Sequence, residues 1–301
     1  MKYHHLALVA LLAGCGGKHP GTYTTVEATA ADTAAEKLLK EADALWEERV
    51  DPAKLKVALD RYKDVLDANP GNRHALQRLT RGWYFYGDSH TTVKEEQIER
   101  WGVAIEYGTQ CLAANQAFAD AIAAGEKEKE ATTHATVEDV PCLYWTSSAL
   151  GKWAKAQSLS KTLKHLPTVK AYISKVEELQ PEYYHFGPAR YWGAYYSALP
   201  SFAGQDFEKS AAYFQTSIDG APNYLGTLVL RADYLAVPSS DIATFDGDLA
   251  AVLAADTSVL PEVTPENIKE QEKARALIEK RSELFPRKVL EAADSTNGDE
   301  E

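Results

Sequence analysis

The sequence predicts an all-α chain built from stacked helix pairs, and three observations carry that reading. Alternating strand patterns do not persist anywhere, whereas Ala, Leu, Glu and Lys recur at helical spacing. A comb of small or apolar residues ending in proline, at offsets 0, 4, 7 and 12, occurs three times: Ala58, Tyr62, Val65, Pro70; Val169, Ile173, Val176, Pro181; and Ser210, Phe214, Ser217, Pro222. Two further segments, "ALGKWA" (149–154) and "YWGAYY" (191–196), each set a bulky residue before a glycine and an aromatic just after it.

The comb has the form A-x3-F-x2-A-x4-P, the second-helix half of a tetratricopeptide repeat, in which the small residues face the partner helix and proline ends the unit. The two glycine segments supply first-helix halves. A helical glycine costs about 1 kcal/mol of propensity, so Gly151 and Gly193 are expected to be packing residues that let a paired helix approach closely. Taken in order, the pairs are 33–49 with 53–68, 73–86 with 95–115, 141–157 with 167–179, 188–199 with 206–220, and 225–237 with 242–255. The second pair departs most from the pattern, its comb reading Ala104, Gly108, Cys111, Gln116. Thr264 and Pro265 then open a last helix through about Phe285 that is expected to cover the exposed apolar end of the stack. The stretches 87–94, 116–140 and 158–166 lengthen the links, and insertions in such stacks collect on one face and shape binding sites. Within them "GEKEKEATTH" (125–134) reads as a solvated charge run.

The termini have other characters. "MKYHHLALVALLAGC" joins one basic residue, Lys2, to an apolar run from Leu6 to Leu12 and then small residues, a secretory signal too short to remain as a bilayer span. Leu12-Ala13-Gly14-Cys15 resembles the lipobox of bacterial lipoproteins, so residues 1–14 are expected to be removed and Cys15 acylated. Gly16 rather than an aspartate follows, which by resemblance to proteobacterial sorting favours the outer membrane over the inner. Residues 15–32 read as the lipidated cysteine and a flexible tether, residues 33–286 as the helical domain, and 287–301, "RKVLEAADSTNGDEE", as a disordered acidic tail. Cys111 and Cys142 lie near the end of one predicted helix and the start of the next. A disulfide is within geometric reach, while the preferred reading is two buried free thiols.

The formal charge is −12, and loss of Lys2 with the signal makes the mature chain one unit more negative. Such a surface repels nucleic acid and anionic head groups, so the membrane link is expected to run through acyl chains on Cys15. Nothing in the chain points to an enzyme or a cofactor. The eight histidines are scattered, no Gly-rich phosphate loop follows a strand, "GxSxG" is absent, and "DGD" at 246–248 lacks the rest of a calcium loop.

In their order, "LYWTSSALGKWA" (143–154), "LQPEYYHFGPARYWGAYYSALPSFAGQDFEKSAAYFQTSI" (179–218), "APNYLGTLVLRADYLA" (221–236) and "TPENIKEQEKARALI" (264–278) resemble the T-component of TRAP transporters, the TatT family. The resemblance covers roughly residues 36–286. It implies a periplasmic lipoprotein of tetratricopeptide fold that associates, as a homotrimer, with the TRAP solute-binding protein and encloses a cavity for a small, apolar ligand. The alternative is an envelope tetratricopeptide scaffold whose open groove takes a peptide or protein partner with no small ligand.

Candidate binding residues follow from helical counting. If Gly193 occupies the small position of the fourth first helix, Arg190, Ala194 and Ser197 face the concave side, with Tyr191 and Tyr195 on an adjacent stripe and Trp192 and Tyr196 toward the partner helix. About four of the six rings in residues 184–200 are then expected in the core. The same count from Gly151 puts Trp145, Ser148, Lys152 and Lys155 on the concave side. Tyr183, Tyr184 and His185 sit at the mouth of the helix, as rim residues or as turn packing. Arg190 and the lysines among aromatic neighbours are suited to a carboxylate on an apolar body. The opposing reading pairs Arg190 with Glu182 and leaves the lysines solvated.

Overall fold

Short caps and prolines cut the chain into helices. Asp51, Asn72, Asn115, Ser158, Asp206 and Asp241 each sit just before a helix and accept a hydrogen bond from its first-turn amides. The computed structural model describes residues 18–24 and 33–297, and among these there is no strand. The helices are α1 (Thr33–Trp46), α2 (Pro52–Ala68), α3 (Arg73–Ser89), α4 (Lys94–Ala113), α5 (Gln116–Ala123), α6 (Glu128–Ala131), α7 (Val140–Gln157), α8 (Leu159–Leu179), α9 (Tyr183–Ala198) and α10 (Phe207–Gly220). They continue as α11 (Gly226–Arg231), α12 (Val237–Ser239), α13 (Ile242–Ala254), α14 (Thr264–Glu279), α15 (Arg281–Leu284) and α16 (Arg287–Asn297), with a π-helical turn at Ala232–Ala236 between α11 and α12.

From α1 to α4 each helix packs on the next; α4 then packs on α7, α7 on α8, α8 on α9 and α9 on α10. The comb residues Ala58, Tyr62, Val65, Val169, Ile173, Val176, Ser210, Phe214 and Ser217 are buried, which is why the comb marks these helices. Gly193 lies where an added Cβ would meet the Phe214 ring of the partner helix at 2.7 Å. Gly151 instead faces Tyr191 Oη, at 3.1 Å from such a Cβ, so its small size serves the space between α7 and α9. The irregular comb of α4 has a cause: Gly108 lies directly under Thr146 of α7, and Cys111 is joined to Cys142 by a disulfide with a Cα–Cα separation of 5.7 Å. The preferred reading of two free thiols is thereby corrected. Small residues let α4 and α7 approach closely enough for the two cysteines to meet.

Other departures from the sequence reading have local physical reasons. The link expected at 158–166 shrinks to Ser158, whose hydroxyl caps α8 by accepting from the Lys161 amide, so Pro167 falls inside the helix. The described part of the expected tether, residues 18–24, packs on the stack: His19 is buried with Nε2 2.5 Å from Glu128, and Tyr23 Oη is 2.6 Å from Tyr172 Oη. Glu128 is thus not a merely solvated member of its charge run. The tail expected to be disordered forms α16 as far as Asn297, because Val289 and Leu290 pack on the C-terminal cluster of Phe245, Leu249, Ala274 and Phe285. Cys15 lies outside the described residues.

Two core clusters of the N-terminal and middle helices share Leu66, Tyr84, Tyr107 and Tyr191, whereas the C-terminal cluster stands apart. Polar groups join it to the rest. Besides packing on α13, α14 returns toward the beginning of the chain: Glu266 accepts from Arg49 (2.6 and 3.0 Å) and Arg81 (2.7 Å), and Lys273 reaches Asp88 at 2.5 Å. Arg49 is fully buried and Glu266 only 5% exposed, so removing the carboxylate strands a buried cation. Glu266→Ala is expected to lower stability by about 3–5 kcal/mol in urea unfolding, while Asp60→Ala, which breaks an exposed i,i+4 pair with Lys56, leaves the midpoint near wild type. Equal small shifts would show that the buried bridge does not hold α14.

Candidate functional site

The return of α14 encloses a half-open cavity of about 850 Å³ between α3, α7, α9, α11, the π turn and α14. Its wall is unusually rich in tyrosine: Tyr84, Tyr144, Tyr184, Tyr191, Tyr195, Tyr224 and Tyr234. It also holds seven Lys or Arg side chains against four Asp or Glu, in a chain of formal charge −12. The wall therefore has the opposite charge balance from the molecule.

Of the residues counted onto the concave side, Trp145, Ser148, Lys152, Lys155, Arg190 and Ala194 line this one cavity, as do Tyr191 of the adjacent stripe and Tyr184 of the rim. Ser197 does not, because it is buried and its hydroxyl donates to the carbonyls of its own helix at Gly193 and Ala194. Of the rim candidates, Tyr183 lines instead a smaller space of about 250 Å³ with His74, Arg78 and Arg81. His185 stacks on Tyr224 with centroids 5.1 Å apart, outside the cavity wall. Of the six rings in residues 184–200, Tyr184, Tyr191 and Tyr195 line the cavity, while Phe186 packs on Gly220 and Trp192 and Tyr196 pack toward Tyr213 of α10. Trp192 alone is fully buried, and Tyr184, Tyr191, Tyr195 and Tyr196 are half-buried against the same core cluster.

Arg190 is the unusual member. It is 4% exposed and forms no salt bridge among the described residues. The expected alternative partner, Glu182, is not engaged by it. Instead its Nη atoms donate to the carbonyls of Tyr184 (3.1 Å) and His185 (3.0 Å), to Tyr144 Oη (3.0 Å) and to Thr227 Oγ1 (3.4 Å), and the Tyr224 ring covers it at 4.3 Å. A buried cation held only by neutral acceptors keeps its full charge.

Those two carbonyls are presented by a backbone that ordinary residues avoid. Tyr184, His185 and Phe186 have φ of 49°, 57° and 55°, a left-handed turn of three consecutive non-glycine residues at the start of α9. Each such residue costs about 1–2 kcal/mol relative to the right-handed form. Next to the turn, Gly187 admits Tyr144 so closely that a Cβ would come within 2.5 Å of its hydroxyl. Strain of this kind gathers at functional sites when surrounding contacts over-determine it.

A second charged group lies in the same wall. Asp88 bonds Lys152 at 2.9 Å and Lys273 at 2.5 Å, and Lys273 also reaches Glu270 at 2.8 Å. Burial pushes the Asp88 carboxyl up, but Lys152 and Lys273 more than offset it and hold it well below the usual carboxylate range. Lys152 is therefore an engaged cation, neither solvated nor free. Lys155 lies over the Tyr234 ring at 3.9 Å, and Tyr234, from the π turn, has its phenol pKa lowered by Lys152 first and Lys155 next, against burial. Sequence reasoning missed Arg81, Asp88, Tyr224, Tyr234, Glu266 and Lys273. The π turn that aims Tyr234 has no sequence signal, whereas the early Thr264-Pro265 helix start did mark the element that carries Glu266 and Lys273.

Among the described residues no group of three or more His, Cys, Asp or Glu is placed to hold a metal ion, and no helix is long and apolar enough to cross a membrane. The "DGD" acids are engaged elsewhere, Asp246 with Arg281 and Asp248 with Arg231.

A search of curated proteins finds no match to the chain. The family model described as the TRAP transporter T-component, TAtT, matches residues 50–285, and the chain belongs to that family. Membership places it with a TRAP transport system, as a transport accessory of the cell envelope.

His165, where α8 meets the cavity, gives the wall a pH signature. Its pKa falls from the ordinary 6.5 to about 4 because it is buried, with the nearby His19 and Lys164 charges adding to the effect. The unfolded chain binds the proton more readily than the folded one, so stability is full above pH 6.5 and is lost as the pH falls toward 4. Thermal unfolding of wild type is expected to show a drop in Tm across that window that is smaller in His165→Asn; identical pH profiles would mean that His165 is not held neutral.

Proposed function

We propose that this TRAP T-component is a periplasmic lipoprotein, anchored through acyl chains on Cys15 at the outer membrane, that associates with the TRAP solute-binding protein and holds or passes a small amphipathic carboxylate in the Arg190 cavity. The observation that carries the reading is a buried arginine with no carboxylate partner, fixed by a strained turn in the wall of a tyrosine-lined cavity. A planar guanidinium is suited to a carboxylate because its donors form a fork matched to two oxygens. Nε of Arg190 makes no hydrogen bond among the described residues, which leaves a donor for a ligand. The tyrosine and tryptophan faces would cover the apolar body. Asp88 and Glu270, paired with Lys152 and Lys273, would fix the opposite wall without excess charge.

The volume suits a molecule of drug-like size, at the upper part of the range usual for such pockets. Association as a homotrimer belongs to the same reading and supplies a symmetric platform for the solute-binding protein; nucleic acid is disfavoured by the overall charge. A groove that bound a peptide would need an open length of wall, whereas α14 crosses this one and ties it to α3.

Native mass spectrometry of residues 16–301 tests the reading. The expected result is a trimer carrying extra mass that denaturation releases, and Arg190→Lys is expected to lose that mass while keeping the assembly, because an ammonium cannot reproduce the planar fork. Wild type without extra mass, together with capture of an envelope protein, would replace the carrier reading with the scaffold one. Retention of the mass by Arg190→Lys would remove Arg190 from the site.

A further inference from the structure

Residues 18–24 lie against the helices rather than extending from them. His19 lies against His165 of α8, with ring centroids 5.8 Å apart, and bonds Glu128 of α6. Pro20 packs beside Gly102 of α4, where the Trp153 side chain of α7 also lies. Gly21 sits on Thr109 of α4, and Tyr23 reaches Tyr172 further along α8. The segment thus runs along α8 from its beginning toward its end. Cys15 lies three positions before Lys18, and three extended residues span at most about 11 Å. The anchor point is therefore confined near the end of the stack where α8 begins.

That end of the molecule has a distinctive surface. Between Val140 and Val176 the sequence contains six lysines and no Asp or Glu, in a chain of formal charge −12. Leu159 and Leu163, one helical turn apart on α8, are 53% and 39% exposed. Lys161 and Lys164 flank them. The short link from Leu179 to Tyr183 turns the chain back, and Lys170 of α8 lies over the Tyr195 ring of α9 at 5.5 Å. The beginning of α8 consequently lies beside the end of α9, where Phe202 is 80% exposed in the turn Ser201–Ala203.

The cavity reaches the same end, since Thr162 and Leu166 of α8 and Ala198 and Leu199 of α9 line it, as do Ser89 and Lys94. The α4 side of that end is mixed, with Glu95, Glu96 and Glu99 beside Lys94 and the exposed Val93, whereas the first turns of α8 carry lysine and leucine and no acid. On the α10 side Asp206 caps the helix by accepting from the Lys209 amide. Exposed leucine and phenylalanine bordered by lysine is the composition of a surface that lies in a lipid interface, with the apolar tips among acyl chains and the ammonium groups at phosphates.

We propose that the end of the stack bearing Leu159, Leu163, Phe202, Lys161 and Lys164 is a membrane-apposed face, which seats the protein on the bilayer with its cavity reaching toward the lipid. The inference rests on the reading of Cys15 as an acylated anchor, since an anchor confined to this end brings this face to the bilayer and no other. It also changes the role of the overall negative charge: the acidic remainder of the surface turns away from the head groups, and the acid-free α7–α8 segment turns toward them. A ligand with an apolar body would then enter the cavity from the lipid surface without crossing open water.

The experiment uses the full chain purified from membranes and placed in vesicles of phosphatidylethanolamine and phosphatidylglycerol. Leu163→Cys, Phe202→Cys and, as a control, Val57→Cys on α2, 45% exposed, are each labelled with an environment-sensitive fluorophore. Labels at 163 and 202 are expected to shift their emission to the blue and to be quenched by spin-labelled lipid, while the label at 57 stays in water. The mass of the N-terminal peptide from the same sample reports acylation of Cys15. If Cys15 is acylated and all three labels stay in water, the face is overturned and the anchor stands. Inserted labels with an unmodified Cys15 would keep the face and remove the anchor. An unmodified Cys15 with all labels in water overturns both.

Discussion

The carboxylate of Glu266 is the point on which the rest of the molecule depends. Its two oxygens take hydrogen bonds from Arg49, which follows α1, and from Arg81 of α3. Arg49 also donates to the carbonyls of Trp46 and Glu262, and the Arg81 guanidinium lies over the rings of Trp46, Trp145 and Tyr184. Five segments far apart in sequence therefore meet at one buried acid. Burial pushes the Glu266 pKa up, but Arg81 and Arg49 outweigh it and keep the group ionised. The bidentate fork of Arg49 and a single Nη donor of Arg81 occupy most of its lone pairs, the condition under which a buried ion pair repays its desolvation. Without it the C-terminal cluster would have mainly its own apolar contacts with α11 and α13, and the cavity would lose its front wall.

The closure explains why the acids that line the cavity on α3 and α14 do not oppose an anionic ligand. Each carboxylate that lines it on α3 or α14 is already spent on a lysine or arginine: Asp88 on Lys152 and Lys273, Glu270 on Lys273, Glu266 on Arg49 and Arg81. Among the buried cations of the described residues, Arg190 alone is matched by carbonyls and hydroxyls rather than by an acid. Had an acid been built beside it, a ligand carboxylate would have to displace a partner of its own kind. With neutral acceptors the exchange costs only charge-assisted hydrogen bonds, about 1.5–3 kcal/mol each, which the ligand carboxylate replaces with its own.

Much of this was legible in the sequence because it lies on single helices. Counting from Gly151 and Gly193 places Trp145, Ser148, Lys152, Arg190 and Ala194 on one side of α7 and α9, with Tyr191 on the adjacent stripe, and the helix period is the only fact that such counting needs. It errs at Ser197, a turn further on, which is buried away from the cavity. The family was likewise readable from the ordered motifs of residues 143–278 and agrees with the match over residues 50–285. Three kinds of feature were not legible. The return of α14 joins residues 185 positions apart in sequence, so Glu266 and Lys273 carry no mark of meeting Arg81 and Asp88. The pairing of Cys111 with Cys142 depends on the closeness of α4 to α7, which Gly108 permits but does not announce. The docking of residues 18–24 rests on a few specific contacts, His19 to Glu128 and Tyr23 to Tyr172, in a stretch with no apolar period.

The left-handed turn at Tyr184–Phe186 escapes sequence reading for a deeper reason, since no local preference favours it. Tyrosine, histidine and phenylalanine all resist positive φ, and a glycine follows only at 187. The turn is therefore made by its surroundings: Arg190 takes the carbonyls of Tyr184 and His185, Phe186 lies on Gly220, and Tyr144 fills the space that Gly187 leaves. The guanidinium stabilises the turn, and the turn in return holds the guanidinium in the cavity wall. An anion binding there would draw on the same donors, so ligand occupancy and the strain in residues 184–186 are linked through one side chain. This couples the cavity to the mouth of α9 without any hinge, because weakening Arg190's hold on those carbonyls is enough to loosen the segment from Tyr184 to Phe186.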